Sequence, residues 1–449
     1  MKNDLLQKYG GAVPRYTSYP TAPHFHDGIT AVDYGRWLAD IPNGSQLSLY
    51  LHVPFCARMC WYCGCHTKIV NRYQPISDYA RLLIREIDLL AGAIDGRQVV
   101  SHIHWGGGTP TILTSDDMTL LMDHIRTHFL LAENAEIAIE IDPRTLDAEK
   151  VSALRRSGIN RASLGIQDFN PDIQKAINRV QTFEQTRSVV GWLRDAEINS
   201  VSFDLMYGLP GQTTDDVRRT VDLSHSLGPD RLSIFGYAHV PWMKSHQKMI
   251  DDAALPDGPD RMRQALAAAN QLIHLGYYQI GLDHFARPDD PMATAMKSGV
   301  LHRNFQGYTT DGAPTLLGLG SSAIGNLTQG YVQNVSSMGQ YSECLEKNEF
   351  PVAKGIRLTA DDRLRRTIIE RLMCDLEIDL ADISTEFDTG MSVFKDEMTA
   401  LSEMAADHLI NVKDSRIRIT ETGRPFVRSI CAVFDQYLST GRGRHSIAV

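Results

Sequence analysis

Short apolar, β-branched runs alternate with amphipathic segments along much of this 449-residue chain. Six such runs occupy residues 47–55, 99–108, 136–143, 161–169, 200–210 and 231–240, and a weaker seventh occupies residues 277–286. Nearly continuous apolar strands separated by helices are typical of a parallel sheet covered by helices. The pattern predicts an α/β fold, and the number of units favours a (β/α) barrel, taken here as a partial one of six units.

Polar and glycine residues stand where each predicted strand ends. They are Cys56, the glycines 106–108, Glu140 with Asp142, Gln167 with Asp168, Asp204, and the segment 237–239. The carboxyl ends of parallel strands meet at one rim, where the functional residues of such folds gather. The six strand ends therefore predict a single active-site mouth.

Three regions are expected. Residues 1–45 are aromatic and turn-rich without clear periodicity, and predict an N-terminal arm. Residues 46–350 form the predicted catalytic barrel domain with a substrate-facing extension. Residues 355–449 predict a small C-terminal domain, in which helices over 361–410 precede two short strands (HLINVKD and RIRIT) and a last helix over 422–438. Helices with a hairpin suggest a winged-helix-like domain, but 13 acidic against 5 basic residues in 361–410 argue against DNA binding.

Composition excludes other classes of protein. No apolar run approaches the roughly 18 residues that a membrane helix needs, and no secretory signal is expected. The net charge of −9 argues against a nucleic-acid or anionic-membrane partner. Three of the seven cysteines, Cys344, Cys374 and Cys431, lie far apart in apolar surroundings and are interpreted as buried. This cysteine usage predicts a cytoplasmic protein without a disulfide framework.

The other four cysteines fall within ten residues, as Cys56, Cys60, Cys63 and Cys65. Zinc sites usually combine two separated pairs, and no second pair is present. A dithiol made by Cys60 and Cys63 leaves Cys56 without a role. Three thiolates on a short loop can hold three irons of a cubane cluster and leave the fourth iron open to a ligand. We favour the iron–sulfur cluster over zinc, and zinc over a dithiol.

The CxxxCxxC loop after a first barrel strand, with Tyr62 before the third cysteine and GGGTP at 106–110, resembles the radical S-adenosylmethionine (SAM) enzymes. Further stretches resemble one family within them, the oxygen-independent coproporphyrinogen III oxidases of haem biosynthesis. These stretches are PRYTSYPTA, LYLHVPFC, CGC, HWGGGTPT, EIDPR, GIQDFN, DLMYGLPGQT, GYAHVP, DHFARPDD and LHRNFQGYTT, and they span residues 14 to 310.

The resemblance implies a 4Fe-4S cluster, two SAM molecules and a set of site residues. The implied cluster ligands are Cys56, Cys60 and Cys63. The implied contacts to the cluster-bound SAM are Tyr50, Gly107, Glu140 and Ile324. Those to the second SAM are Tyr62, Gly108, Thr109, Gln167, Arg179, Asp204 and Ala238. The implied catalytic residues are Cys65, Phe305, Gln306 and Glu140. Taken alone, Asp204 would equally suit a structural hydrogen bond, and Phe305 would more often belong to a core.

The implied reaction is oxidative decarboxylation of two propionates of coproporphyrinogen III, which gives the two vinyl groups of protoporphyrinogen IX. A flavodoxin or ferredoxin is the expected electron donor, and the family suggests a monomer. Arg15, His302 and Arg303 are candidate partners for the substrate carboxylates, and the N-terminal arm is expected to close over the barrel mouth. Two alternatives remain open: a related haem-binding chaperone and a zinc-stabilised interaction protein.

Overall fold

The computed structural model of the protein describes residues 3–438, so residues 1–2 of the predicted arm and 439–449 of the predicted C-terminal domain lie outside it. The strands are β1 (Gln46–Val53), β2 (Phe55–Cys56), β3 (Lys68–Ile69), β4 (Val99–Gly107), β5 (Leu130–Ile141), β6 (Arg161–Gln167), β7 (Ser200–Tyr207), β8 (Arg231–Gly236), β9 (Tyr278–Ile280), β10 (His284–Ala286), β11 (His302–Asn304), β12 (Gly307–Thr309), β13 (Thr315–Leu319), β14 (Ile324–Leu327), β15 (Gly330–Asn334), β16 (Val352–Arg357), β17 (Glu377–Asp379), β18 (Ile410–Lys413) and β19 (Arg416–Ile419). The α-helices are α1 (Asn3–Tyr9), α2 (Ala31–Ala39), α3 (Gln74–Ala93), α4 (Ser115–His128), α5 (Ala148–Arg156), α6 (Pro171–Ala176), α7 (Phe183–Asp195), α8 (Thr214–Ser226), α9 (Gly258–His274), α10 (Pro291–Lys297), α11 (Met338–Glu346), α12 (Ala360–Asp375), α13 (Leu380–Glu386), α14 (Lys395–Ala406) and α15 (Val427–Ala432).

The central sheet has the strand order β16-β15-β14-β13-β1-β4-β5-β6-β7-β8-β10-β9. Strands β1 and β4 to β8 are mutually parallel and correspond to the six predicted runs. The seventh run is not a further parallel unit, because it folds back as the antiparallel pair β9 and β10 beside β8. The sheet does not close, since β16 and β9 are its two edges among the described residues. The partial six-unit barrel is therefore confirmed.

Charged side chains inside the sheet show that it curls. His102 on β4 and Arg231 on β8 are four strand spacings apart, which in a flat sheet is about 19 Å. The positive charge of Arg231 nevertheless opposes the protonation of His102, and it also acts on Glu136 and Arg161 of the strands between them. Glu136 and Arg161 form a partly buried ion pair at 2.9 Å. Only a strongly curved sheet brings these side chains within electrostatic range of one another.

The N-terminal region is more regular than the sequence suggests. It contains α1 and α2, and α2 begins with a capping box in which Thr30 and Asp33 bond reciprocally. Trp37 and Leu38 of α2 belong to the same apolar core as the barrel strands. Residues 13–16 bond to the C-terminal domain, where the Tyr16 hydroxyl lies 3.0 Å from a carboxylate oxygen of Asp435. The predicted arm is therefore a packed element between the barrel and the C-terminal domain.

The C-terminal domain contains a three-stranded antiparallel sheet, in the order β17-β19-β18, against α12 to α15. The two predicted strands are present, but the third, β17, interrupts the segment 361–410 that was predicted to be helical. Three residues are too few to show the alternation of apolar and polar side chains that marks a strand, so the pairing with β19 decides their conformation. The last α-helix covers only Val427–Ala432 of the predicted 422–438. Within the described residues, no helix is both long and apolar enough to cross a membrane.

Glu86 of α3 lies fully buried at the carboxyl end of β13. Its carboxylate accepts hydrogen bonds from the backbone of Gly320 (2.6 Å), the amide of Asn334 (2.6 Å) and the hydroxyl of Tyr341 (2.5 Å). Burial raises the pKa of Glu86 to about 7, although the three donors oppose that effect. Seven residues earlier on α3, the Tyr79 hydroxyl donates to the backbone oxygen of His52 at 2.7 Å, so this helix braces the end of β1.

Replacing Glu86 with alanine should lower the free energy of unfolding by about 3 kcal/mol or more, because three buried donors lose their acceptor. Urea unfolding followed by circular dichroism measures this loss. Glu343→Ala is the control, since it removes an exposed carboxylate paired with Lys347 and should leave the free energy of unfolding close to that of the wild type. Equal stability losses in the two variants would contradict the bracing role of Glu86.

Candidate active site

The cysteine loop, residues 54–69, begins where β1 ends and returns through the short parallel pair β2 and β3. The glycine run that ends β4 lies directly against it. The backbone N–H of Gly108 donates to the oxygen of Val53 at 2.9 Å, and that of Thr109 donates to the oxygen of Phe55 at 2.8 Å. A Cβ atom at Gly108 would lie 2.6 Å from the Phe55 oxygen, so only glycine permits this approach.

Hydroxyl and N–H groups point at two of the cysteine sulfurs. The Sγ of Cys56 lies 3.2 Å from the hydroxyl of Thr67 and 3.4 Å from that of Thr109. The Sγ of Cys63 accepts from the backbone N–H of Cys65 at 3.4 Å. Hydrogen bonds from Cys65, opposed by burial, lower the pKa of the Cys63 thiol to about 6. These contacts suit sulfur atoms that carry negative charge.

Two arginines approach the third sulfur, that of Cys60. Arg144 donates to it at 3.3 Å and Arg179 at 3.6 Å. Both guanidinium groups also bond to Asp142, at 2.6 Å and 3.5 Å respectively. Although burial opposes ionisation, the charges of Arg179 and Arg144 lower the pKa of Asp142 to about 2. Arg144 was not assigned from the sequence, although it stands in the quoted stretch EIDPR.

The loop after β8 holds the backbone oxygens of the cysteine loop. Gln247, which is fully buried, donates to the oxygens of Tyr62 (3.0 Å) and Ala238 (3.2 Å). His246 bonds to the oxygen of Cys63 at 2.7 Å, and Lys244 donates to that of Cys65 at 2.9 Å. The cysteine loop is therefore held on one side by the glycine run of β4 and on the other by the loop after β8. None of the three side chains follows a spacing that marks it in the sequence.

Glu140, at the end of β5, faces the glycine run. One carboxylate oxygen lies 3.2 Å from Nε2 of His104, and the other accepts from the backbone N–H of Gly107 at 3.2 Å. Burial opposes its charge, but these hydrogen bonds hold the pKa of Glu140 below its usual range. Tyr50 stacks on His104 with ring centroids 5.9 Å apart. The structure therefore brings together Tyr50, Gly107 and Glu140, which the sequence assigns to one ligand.

Ile324 is the fourth residue of that set, and its backbone, rather than its side chain, lies near the Tyr50 region. Tyr50 pairs in register with Gly318 of β13, and a Cβ atom at Gly318 would lie 2.6 Å from the carbonyl carbon of Ile324. The Ile324 side chain packs in a small apolar cluster that also contains Phe305 and Tyr331. Ile324 therefore lies between the Tyr50 region and the predicted catalytic residue Phe305.

Two residues of the other predicted set, Gln167 and Asp204, lie on β6 and β7, and the side chain of a third, Arg179, reaches β6 from the segment between α6 and α7. Gln167 ends β6 in a left-handed conformation (φ 67°), and its side chain meets that of Arg179 above Gly165. Asp204 of β7 is partly buried and accepts a hydrogen bond from Ser163 at 2.9 Å. Burial raises the pKa of Asp204, and the negative charge of Glu140 adds to the effect. Both the ligand-binding and the structural interpretation of Asp204 are compatible with this position.

A cavity of about 800 Å³ opens beside the cysteine loop. Its wall contains Cys65, Ala238, Phe305 and Gln306. Cys65 belongs to the cysteine loop and lies two residues after Cys63, so the cavity reaches the loop directly. Phe305 and Gln306 lie in the turn between β11 and β12, which was predicted to face the substrate.

Five arginines line this cavity, namely Arg15, Arg261, Arg303, Arg424 and Arg428, against two carboxylates, those of Asp283 and Glu421. The Nε atoms of Arg261, Arg303 and Arg424 are buried without a hydrogen-bond partner in the described part of the chain. Burial and the nearby charge of Arg15 lower the pKa of Arg428 to about 10. A cavity with this excess of positive charge is suited to a ligand with several carboxylates.

The candidate carboxylate partners named from the sequence divide between two cavities. Arg15 and Arg303 line the large one, whereas His302 lies in the wall of a smaller neighbouring cavity of about 190 Å³, which Arg303 also lines. Nδ1 of His302 lies 3.1 Å from a carboxylate oxygen of Glu370. His302 therefore does not line the large cavity, although Arg303 lies in the walls of both cavities. Arg261, Arg424 and Arg428 were missed, since an arginine facing a cavity has no sequence signal of its own.

Comparison with known proteins decides which family this site belongs to. Residues 50–224 match the model of the radical SAM superfamily, and residues 358–426 match that of the HemN C-terminal domain. The chain is 52% identical to the oxygen-independent coproporphyrinogen III oxidase of Bradyrhizobium diazoefficiens, over 100% of both chains. The chain belongs to the family of oxygen-independent coproporphyrinogen III oxidases. Its identity to the Pseudomonas aeruginosa oxidase is 44%, over 99% of this chain and 97% of that one.

A solved structure extends the likeness of this oxidase family member to the whole fold. Coproporphyrinogen III oxidase (HemN) from Escherichia coli, a radical SAM enzyme, is similar with a TM-score of 0.91 and 38% identity. The match covers 97% of this chain and 99% of the Escherichia coli chain. The radical SAM superfamily implies a 4Fe-4S cluster and SAM. The thiols of Cys56, Cys60 and Cys63 fit such a cluster, because each is approached by hydrogen-bond donors that stabilise a thiolate.

Gly108→Ala should reduce iron and sulfide content and the visible absorption of the anaerobically reconstituted protein by at least half, because its Cβ would displace the cysteine loop. Iron analysis and absorption near 400 nm measure the loss. Gly191→Ala on α7 is the control, since its Cβ meets no atom within 4 Å, and it should retain full iron content. Full iron content in Gly108→Ala would show that the loop tolerates the displacement.

Proposed function

We propose that this protein is an oxygen-independent coproporphyrinogen III oxidase that converts two propionate side chains of coproporphyrinogen III into vinyl groups. The observation that carries the proposal is the cavity described above. It meets the cysteine loop at Cys65 and holds five arginines, in a chain 52% identical to an oxidase of this name. Coproporphyrinogen III carries four propionates, so its charge complements the arginine-lined wall. Charge-assisted hydrogen bonds to arginine are each worth about 1.5–3 kcal/mol.

The chemistry requires that each propionate lose a hydrogen atom from its β-carbon, carbon dioxide from its carboxylate, and one remaining electron. When bound, the reduced cluster and SAM supply the radical that removes the hydrogen atom. The residues of the chain hold the reacting carbon next to that chemistry and exclude water. The curled sheet, the N-terminal segment and the C-terminal domain together form the cavity wall that excludes water. Arg15 of the N-terminal segment and Arg428 of the C-terminal domain both line this cavity.

Phe305 and Gln306 are proposed to position the tetrapyrrole. Phe305 packs edge-on against Tyr331 with centroids 6.1 Å apart, so its ring is fixed in the wall. The turn that carries both residues is set by a hydrogen bond from the Gln306 N–H to the Asn304 side chain at 2.9 Å. The amide oxygen of Gln306 can accept a hydrogen bond from a pyrrole N–H. Cys65 is proposed to act in catalysis from the wall of the same cavity, where a thiol can donate a hydrogen bond or a proton.

The SAM-binding roles are proposed from the two groups of residues described above. Tyr50, Gly107, Glu140 and Ile324 would contact a SAM beside the cluster, where the ionised Glu140 suits an ammonium group or ribose hydroxyls. Tyr62, Gly108, Thr109, Gln167, Arg179, Asp204 and Ala238 would contact a second SAM. Arg179 and Tyr62 support this assignment because they lie within electrostatic range of each other beside Cys60.

The remaining partners are also part of the proposal. A flavodoxin or ferredoxin would reduce the cluster, and the protein would act as a monomer in the cytoplasm, where thiol ligands stay reduced. The presence of Cys65 and of the 302–309 hairpin in the cavity wall supports an oxidase over the haem-binding chaperone. A zinc-stabilised interaction protein is disfavoured, because it does not account for the cavity or its arginines.

The activity is tested with anaerobically purified protein, dithionite, SAM and coproporphyrinogen III. We expect protoporphyrinogen IX together with 5′-deoxyadenosine, separated by chromatography and measured by fluorescence and absorbance. Cys56→Ala should abolish both products, because one cluster ligand is lost. Cleavage of SAM with coproporphyrinogen III left intact would instead point to another substrate, and a colourless protein containing zinc would contradict the radical mechanism.

Arg261→Gln should raise the KM for coproporphyrinogen III by about tenfold or more, because one buried cationic donor in the cavity is lost. Initial rates at varied substrate concentration and saturating SAM measure the change. Arg263→Gln is the matched control on the same helix, since Arg263 is exposed and pairs with Asp260. The KM of Arg263→Gln should stay within twofold of the wild-type value, and an equal rise in both variants would exclude a specific role for Arg261.

A further inference from the structure

Two histidines and an aspartate converge on one point of the outer helical layer. His124 and His128 stand four residues apart on α4 and so share one face of that helix. The Nε2 atoms of both rings approach the same carboxylate oxygen of Asp88 on α3, at 2.7 Å and 2.9 Å. The three ligand atoms lie within 4.8 Å of one another. The two rings meet edge to face, with centroids 5.0 Å apart.

We propose that Asp88, His124 and His128 form a zinc-binding site that joins α3 to α4. Two imidazole nitrogens and one carboxylate oxygen are a donor set that Zn²⁺ prefers, and water would complete its tetrahedral coordination. Bonds of about 2.0–2.2 Å in a tetrahedron place ligand atoms about 3.4 Å apart. The two distances from Asp88 to the histidine nitrogens, 2.7 Å and 2.9 Å, are about 0.5–0.7 Å shorter than that. The Asp88 side chain is 52% exposed, so it can rotate to open the site.

Solvent can reach the site, and the structure places it away from the catalytic rim. The side chains of His124 and His128 are 25% and 30% exposed, so an ion can enter without unfolding the helices. His128 ends α4, and β5 begins two residues later at Leu130. The site therefore lies near the amino-terminal edge of the sheet, opposite the carboxyl ends that carry the cysteine loop. Residues at that edge of a barrel contribute to stability rather than to chemistry.

A bound ion would reinforce a helix that already supports the site. Asp88 follows Glu86 by two residues on α3, and that helix also carries Tyr79, which bonds to the end of β1. A zinc ion shared with α4 would tie α3 to the helix that covers the neighbouring strands β4 and β5. The proposal does not depend on the oxidase activity, because none of its three residues lines the cavity or contacts the cysteine loop.

Calorimetric titration with zinc chloride under anaerobic conditions tests the site on protein that already carries its iron–sulfur cluster. We expect wild-type protein to bind one zinc equivalent more than the double variant H124Q/H128Q, and zinc to raise the unfolding temperature of the wild type alone. His274→Gln, which removes an exposed imidazole from α9, should bind as many equivalents as the wild type. Asp88→Asn should retain binding with affinity reduced by at least the roughly tenfold typical of outer-shell substitutions.

Equal zinc equivalents in wild type and H124Q/H128Q would overturn the proposal, as would binding only near about 1 mM zinc, a weak affinity. A purely structural cluster of hydrogen bonds would lower the zinc-free unfolding temperature of the double variant without changing the zinc equivalents, and that result also contradicts a metal site. The double variant should convert coproporphyrinogen III at the wild-type rate if the oxidase proposal holds. Loss of the oxidase activity in the wild type would leave the zinc titration unaffected.

Discussion

The close backbone contact between the glycine run of β4 and the loop that follows β1 is the interaction on which the site depends. Two hydrogen bonds, from the N–H groups of Gly108 and Thr109 to the oxygens of Val53 and Phe55, attach that loop to the end of the next strand. The cysteine sulfurs then face the hydroxyl and guanidinium donors of Thr67, Thr109 and the arginines near β5 and β6. A Cβ atom at Gly108 would keep the loop away from the strand, and these donors would then not reach the sulfurs.

The curl of the sheet gives the barrel an interior, which the cysteine loop alone could not form. Strands that would lie about 19 Å apart in a flat sheet bring their charges within range of one another, so the barrel has an interior that can hold polar ligands. The N-terminal segment and the C-terminal domain contribute Arg15 and Arg428 to the wall of the cavity. Five arginines against two carboxylates leave an excess of positive charge in the cavity wall, and a polycarboxylate would compensate it.

Much of the barrel could be predicted because its signals are local. A strand buried on both faces is a continuous apolar run, and each of the six runs became a parallel strand in the expected order. Shorter elements were not predictable in the same way. The run 277–286 has the composition of a strand, yet it forms a hairpin in which β10 pairs antiparallel with β8, the last of the parallel strands. The strand β17 has three residues, too few for any period, and exists only through its pairing with β19.

The sequence by itself determined the α/β class, the cysteine loop after the first strand, the glycine run beside it and the family, because these depend on residue type and spacing within short segments. The tertiary structure alone decided which distant side chains meet. Arg144 lies beside Cys60, His302 faces Glu370 away from the large cavity, and Arg261, Arg424 and Arg428 gather around that cavity. An arginine on a solvated face and one in a cavity have the same local sequence signal, and only the folding of distant segments against one another distinguishes them.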